Sequence, residues 1–166
     1  MSETDKHTVP PTEVVEAFTA AAITALQELT RLEAYSDSSP QATALASENV
    51  VVATLRLLRN VPGKLTVALT ETTASQLAAI YLPQGTALSD EMIDDVVGEF
   101  ANVIAGQAKT ILKGTPYHFT LSTPVVAREA SSILLSVNAQ RSLITAMNFE
   151  LGQMLLFLDL PPCPGA

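Results

Sequence analysis

The feature of this sequence that most restricts its fold is a long amphipathic segment between Ser89 and Leu112. Ser89 is a favourable N-cap residue, and acidic residues follow it in the first turns, where the helix dipole favours negative charge. Gly114 stands just after the last apolar residues and is suited to end a helix. The pattern therefore predicts one long helix with a charged beginning.

This predicted helix has two chemically different faces. At 100° per residue, Glu99, Asn102, Gly106 and Lys109 all lie within about 40° of a line through Asp95. The opposite side is apolar and carries Ile93, Val97, Phe100, Ile104 and Ile111. One face is thus expected to pack on a core, and the other to meet solvent or a partner. Gly106 costs about 1 kcal/mol of helix propensity relative to Ala, and it permits another molecule to come close.

The chain before this helix is predicted to hold one more long helix and a β-hairpin. Apolar residues with a 3.6-residue period indicate a helix that opens at Pro11-Thr12 and ends near residue 33, before a loop over Ser36–Pro40. Branched residues over Asn49–Leu58 and alternation over Lys64–Leu69 indicate two strands. The turn Asn60–Gly63 between them, with its Pro and Gly supplying special dihedrals, makes the pair antiparallel.

The rest of the pattern completes an α+β domain. Thr72 or Thr73 is expected to cap a short helix through Tyr81, which Pro83 and Gly85 then end. Four further strands are predicted at about 117–122, 132–137, 143–149 and 154–160. This order predicts a mostly antiparallel sheet with helices packed on one face.

The length and the two ends of the chain suggest one domain. The sequence has 166 residues, which is a usual size for a single folded unit. We expect residues 1–10 to form a flexible leader, residues 11–160 a single domain, and residues 161–166 a Pro-rich tail.

Charge and residue content argue against several kinds of function. The net charge is −8 and no Lys/Arg cluster is present, which argues against nucleic acid as a partner. No apolar run is long enough to span a membrane, and no secretory signal is evident. With Cys163 as the single cysteine and only two histidines, we expect no disulfide and no metal site. These features favour a cytoplasmic protein.

Spacing alone leaves the polar face of the long helix open to two interpretations. Acidic and amide residues occur on any exposed helix face, and Glu-x-x-Asn arises by chance in many helices. An ordinary solvated surface is the simpler explanation of Asp95, Glu99 and Asn102 until the surrounding sequence is considered.

The surrounding sequence supplies that context. The segments DDVVGEFANVIAGQAKTIL and YHFTLSTPVV resemble the CheX, CheC and FliY family of phosphatases. The family pattern is Asp or Ser, then x-x-x-Glu-x-x-Asn, with a Pro further along the chain. Asp95, Glu99 and Asn102 match in order, and Pro124 follows at the matching distance. The flanking residues and the single Glu–Asn pair resemble the CheX branch in particular.

The resemblance implies a two-layer CheC/CheX-like fold and a phosphatase acting on the phospho-aspartate of a CheY-like receiver domain. By this analogy Asn102 orients the attacking water, and Glu99 anchors the complex by pairing with the receiver's active-site Lys. Asp95, Gly106 and Pro124 are the candidate partner-binding residues, and Asp95 could equally cap or solvate the helix. Pro124 could also be an ordinary turn proline. The resemblance assigns Mg²⁺ to the receiver, so this chain needs no cofactor of its own.

Other functions remain as alternatives. A non-catalytic CheX-like interaction module would keep the fold and dock a signalling partner. A structural component, like the relatives in the flagellar switch, is a further alternative. Retention of both Glu99 and Asn102 favours the phosphatase. The resemblance also implies a homodimer that pairs through its sheets. We find no Gly-x-Ser-x-Gly elbow and no P-loop, and His118 is expected to be a structural or surface residue.

Overall fold

A computed structural model describes residues 10–37, 49–130 and 143–160. The elements in chain order are α1 (Thr12–Thr30), β1 (Ala34–Ser36), β2 (Asn49–Leu58), β3 (Gly63–Thr70), α2 (Glu71–Tyr81), α3 (Asp90–Ile111), β4 (Thr120–Leu121), β5 (Val125–Ala130), β6 (Leu143–Phe149) and β7 (Gly152–Asp159). The predicted strand over residues 132–137 and the predicted tail lie outside these ranges. Of the predicted leader, only the last residue lies inside them.

The seven described strands form one sheet in the order β1-β6-β7-β3-β2-β4, and β5 also pairs with β2. Every strand pair is antiparallel, which confirms the predicted sheet type. The predicted hairpin is β2–β3. Its Gly63 does not adopt a positive φ; a Cβ there would lie 2.6 Å from the carbonyl oxygen of Asp159 in β7. Glycine is therefore needed at this position for close strand packing and not for a turn dihedral.

The three described helices cover one face of the sheet, as predicted for a two-layer α+β fold. Alternate residues of β2 show the division: Val51 and Leu55 join the core shared with the helices, whereas Val50 and Val52 belong to a separate apolar cluster. That second cluster consists of Val50, Val52, Ala68, Ala146, Leu155 and Phe157. The strands β2, β3, β6 and β7 are thus apolar on both faces, and the helix-bearing face holds the larger core.

The predicted helices are present, with one error in capping. Ser89 caps α3 as expected, since its side chain accepts a hydrogen bond from the backbone N–H of Met92 at 3.2 Å. The predicted cap of α2 at Thr72 or Thr73 is wrong. Thr70 caps it instead and accepts from the N–H of Thr73 at 3.2 Å. Thr70 is also the last residue of β3, so the strand passes directly into the helix.

Two strands were not predicted: β1, which has three residues, and β5, which has six. Ser36, which was predicted to begin a loop, is the last residue of β1. This strand pairs with β6 at one edge of the described sheet. The strand predicted over residues 117–122 shrinks to β4, and β5 follows it along the same side of β2. Each missed strand pairs with one described strand, and that partner is far away in the sequence.

The first helix spans Thr12–Thr30 and ends three residues before its predicted limit, at Arg31 in the left-handed conformation with φ 61°. It packs beside α3, where Gln107 donates a hydrogen bond to Glu28 at 3.1 Å. The ring of Phe18 stacks on that of Phe119, with centroids 5.8 Å apart. The first contact joins α1 directly to α3, and the second joins α1 to the segment that follows α3.

Candidate active site

The polar face of α3 points away from the core. Asp95, Glu99 and Asn102 are exposed, and Gly106 and Lys109 are partly exposed. On the opposite side, the residues predicted to be apolar and buried are buried, except Ile111, which is 52% exposed. Ile111 is the last residue of α3, where the helix ends. The structure therefore brings the three motif residues of α3 together on one accessible surface.

The functional groups of the three motif residues have no partner in the part of the chain that the structure describes. Neither the carboxylates of Asp95 and Glu99 nor the amide of Asn102 forms a hydrogen bond or ion pair with any residue that the structure describes. Glu99 and Asn102 are three residues apart, so about 4.5 Å of helix rise separates them. A negative group and a neutral donor–acceptor group are thus presented side by side.

Beneath this face, α3 is anchored by large buried side chains. Phe100, next in sequence to Glu99, is fully buried and meets the ring of Tyr81 edge-on at 5.8 Å. Ile104 is also fully buried. Because interiors are close-packed, these anchors restrict movement of the helix, and the exposed residues between them have defined backbone positions.

Pro124 lies against the same helix, close to the motif. A Cβ placed on the buried Gly98 would come within 3.6 Å of the Pro124 ring and 3.2 Å of Val126. Pro124 lies within an irregularity in the sheet. Leu57 pairs with Leu121 and Thr54 pairs with Val125, so the segment between Leu121 and Val125 contains one residue more than the facing segment of β2. The proline therefore shapes the segment between β4 and β5 that packs on α3.

Ser122 supports this irregular segment. Its hydroxyl accepts a hydrogen bond from the backbone N–H of Arg56 at 2.8 Å, and its own N–H donates to the Arg56 carbonyl at 3.0 Å. The side chain thus replaces a strand acceptor where the backbone departs from regular pairing. Ser122 therefore has a structural role in this segment.

An ionic cluster fixes the beginning of α3 to β5. Arg128 of β5 contacts Asp94 at 2.8 Å, Glu71 at 3.1 Å and Asp90 at 3.6 Å. Burial lowers the pKa of the Arg128 guanidinium, but its hydrogen bonds to Asp94 and Glu71 and the nearby negative charge leave that pKa raised overall. We call Arg128, Glu71, Asp90 and Asp94 the Arg128 cluster. It joins the first residue of α2, the first turns of α3 and β5.

Sequence reasoning did not identify Gly98 or Arg128. A glycine in the middle of a helix next to Glu99 was a usable signal, because glycine is unfavourable there unless something packs closely. Arg128 gave no such signal, since its acidic partners lie 34 to 57 residues earlier in the chain. His118 is exposed, in agreement with its expected surface role.

The structure shows neither a metal cluster nor a transmembrane helix in the ranges that it covers. Within residues 10–37, 49–130 and 143–160, no three His, Cys, Asp or Glu side chains are grouped to hold a metal ion. None of the helices in those ranges has the length and apolar character needed to cross a bilayer.

Solved chemotaxis proteins share this fold. CheX from Vibrio vulnificus has a TM-score of 0.64 and 21% identity, covering 89% of this chain and 96% of its own. CheX from Desulfovibrio desulfuricans has a TM-score of 0.65 and 17% identity, with 90% and 99% covered. A chain of the CheX–CheY–BeF3–Mg2+ complex from Borrelia burgdorferi has a TM-score of 0.59 and 18% identity, with 88% and 96% covered.

Sequence comparison gives the family. No curated protein matches the chain. The family model described as chemotaxis phosphatase CheX matches residues 51–147, a range that runs from β2 through α3 to β6 and includes all three motif residues of α3 as well as Pro124. That range covers more than half of the chain and confirms the resemblance predicted from the sequence: the protein belongs to the CheX family.

Proposed function

We propose that this protein removes the phosphoryl group from the phospho-aspartate of a CheY-like receiver domain, using Glu99 and Asn102. The observation that carries the proposal is that both side chains are exposed and unpaired, within the described residues, on one face of a helix anchored by buried neighbours. Family membership and a structural relative in complex with CheY support the choice of partner.

The reaction is an in-line displacement at phosphorus. The oxygen of a water molecule bonds to phosphorus, the bond from phosphorus to the aspartyl oxygen breaks, and inorganic phosphate and a free carboxylate result. Asn102 has a carbonyl oxygen that can accept a hydrogen bond from this water and an N–H that can donate. A neutral amide orients the water without placing negative charge beside an anionic phosphoryl group.

Glu99 has a different task in this proposal. One turn before Asn102, its carboxylate can pair with the cationic Lys of the receiver's active site and so hold the two proteins in register. The receiver supplies the Mg²⁺, and the phosphatase contributes positioning. Asp95, Gly106 and Pro124 belong to the surrounding docking surface, with Pro124 acting through its packing on Gly98.

The test is the decay of phosphorylated receiver domains from the same organism in the presence of wild type and Asn102→Ala. We expect Asn102→Ala to lower kcat by about 10²-fold or more because the water is no longer oriented. Since Asn102 is exposed, folding should be unaffected, and an unchanged melting temperature is the control. Undiminished turnover by Asn102→Ala would exclude this mechanism.

Glu99→Ala separates docking from chemistry. Its KM for the phosphorylated receiver should rise while kcat changes little, because the carboxylate anchors the complex and does not touch the water. A loss confined to kcat would contradict the docking role. If wild type accelerates the decay of none of the receivers but still binds one, the protein is the non-catalytic interaction module.

A further inference from the structure

A cleft opens beside the motif, between the end of α2 and the first turns of α3. It has a volume of about 300 Å³ and is open to solvent. Its lining residues are Tyr81, Leu82, Met92, Asp95, Val96 and Glu99. The Tyr81 ring is held by its edge-on contact with the buried Phe100, so this wall is part of the packed structure.

The cleft combines apolar walls with uncompensated negative charge. Leu82, Met92 and Val96 provide hydrocarbon surface, and the exposed carboxylates of Asp95 and Glu99 have no cation among the described residues. Arg128, the cation at this end of α3, is already paired with three other carboxylates. A Lys or Arg side chain complements such a cleft, because its stem packs on apolar surface while its charged end reaches the carboxylate of Asp95, which remains available when Glu99 pairs with the active-site Lys of the receiver.

The position of the cleft separates its occupant from the reacting atoms. Asp95 precedes Asn102 by seven residues, which is about 10 Å along the helix axis. If Asn102 reaches the phosphoryl group, Glu99 lies within reach of the active-site cation of the receiver, and Asp95 lies beyond it. A residue bound at Asp95 must therefore come from the receiver surface outside its phosphorylation site.

We infer that this cleft binds a second basic side chain of the receiver, a Lys or Arg outside the phosphorylation site, and that Asp95 thereby selects among receivers. The inference rests on the proposed function and gives Asp95 a role distinct from those of Glu99 and Asn102. Receivers that lack a basic residue at the facing position are poorer substrates through weaker binding, with unchanged chemistry.

The first experiment measures binding and turnover of Asp95→Asn with a receiver that wild type dephosphorylates. Binding is measured to the same receiver held in its active form by beryllofluoride and Mg²⁺. We expect about tenfold weaker binding and a correspondingly higher KM, with kcat within twofold of wild type. Glu91→Gln is the matched control, since it removes one exposed carboxylate from the same helix outside the cleft. It should leave the binding affinity, KM and kcat unchanged.

The second experiment identifies the occupant. Each surface Lys and Arg of the receiver is changed to Gln and tested against wild type and Asp95→Asn. One receiver variant should weaken binding to wild type and have little further effect on Asp95→Asn, which is the signature of direct coupling. Met92→Ala should also weaken binding, because the stem of the basic side chain loses an apolar wall.

Several outcomes would overturn the inference while the proposed function stands. One is wild-type-like binding by Asp95→Asn in a protein that still dephosphorylates the receiver. Another is the absence of any coupled basic residue, and a third is sensitivity to Met92→Ala alone, which would indicate an apolar occupant. If wild type neither dephosphorylates nor binds any receiver, that result contradicts both the proposed function and the inference.

Discussion

Gly98 and Gly106 are two glycines of the same helix with opposite surroundings. Gly98 is buried against Pro124 and Val126, whereas a Cβ at Gly106 would meet no atom within 4 Å. Each lacks a side chain inside a helix, which is unfavourable by about 1 kcal/mol relative to Ala. Packing within the chain explains Gly98. Nothing within the described residues explains Gly106, which agrees with the predicted close approach of a partner.

The two glycines should therefore respond differently to substitution. Gly106→Ala should raise the free energy of unfolding by about 0.5 to 1 kcal/mol, yet raise KM for the phosphorylated receiver because the added methyl group lies on the docking face. Gly98→Val should lower the free energy of unfolding by about 1 to 3 kcal/mol through overpacking. Urea unfolding and receiver kinetics measure both. A stabilised Gly106→Ala with unchanged KM would show that the partner does not approach this position.

At the scale of single residues, helical geometry made part of the site predictable. The common face of Asp95, Glu99 and Asn102 follows from 100° per residue and needs no tertiary information. The Arg128 cluster depends on residues brought together only by folding, so no local pattern could reveal it.

The contact between β5 and α3 is the element-level feature that positions the proposed site. At one end the Arg128 cluster ties β5 to the first turns of α3, and further along Pro124 and Val126 pack on Gly98. Gly98 directly precedes Glu99 in the sequence. A displacement of β5 would therefore shift the helix segment that presents the motif.

Arg128→Met tests this contact. The ion pairs of Arg128 are partly exposed and screened by solvent, so their loss should lower stability by no more than about 1 kcal/mol. The difference from wild type should shrink in high salt. We also expect a several-fold lower kcat, because Asn102 is then less well positioned. Thermal unfolding at two salt concentrations and receiver kinetics measure these effects.

Arg56→Met is the control for that variant. Arg56 is an exposed arginine of β2, and no ion pair of its side chain is found in the described part of the chain. The Arg56→Met substitution should leave both the melting temperature and kcat close to the wild-type values. Equal effects of the two substitutions would show that general loss of positive charge, and not the Arg128 cluster, is responsible.

Elements with strong local signals were the ones that the sequence analysis could locate. The hairpin and α3 have turn residues, caps and a clear period, and both were predicted within about two residues. The first strand, Ala34–Ser36, has only three residues, and β5 carries charge at Arg128 and Glu129. Both strands form by pairing with strands that are distant in the sequence. A local sequence pattern does not indicate such pairing.

At the scale of the whole molecule, the α+β class was predictable because the order of helices and strands leaves few arrangements. The order of strands within the sheet was not, since β3 lies between β2 and β7 although more than 80 residues separate β3 from β7 in the sequence. The second apolar cluster was also missed. It makes the central strands apolar on both faces, whereas the prediction placed helices on one face and left the other undescribed.

The ends of the sheet bear on assembly. In the described strand order, β1 lies at one end, and β4 and β5 lie at the other beside β2. Such edges carry backbone groups that can pair with a second chain. The family resemblance implies a homodimer formed through the sheets, and a closed two-fold pair is the commonest oligomer for a soluble protein.

We therefore expect light scattering to give twice the 17.6 kDa chain mass at micromolar concentration. Asn102→Ala should have the same mass as wild type, because its exposed side chain on α3 is remote from sheet pairing. Ser36→Pro removes an outward-facing backbone donor of β1 and tests whether this edge takes part. The N–H of Ser36 faces outward because that of the next residue, Asp37, donates to Ala146 of β6, and successive N–H groups point to opposite sides of a strand. A monomeric Ser36→Pro that keeps wild-type kcat would mean that each chain holds a complete site. A wild type that is monomeric at every concentration measured would refute the dimer.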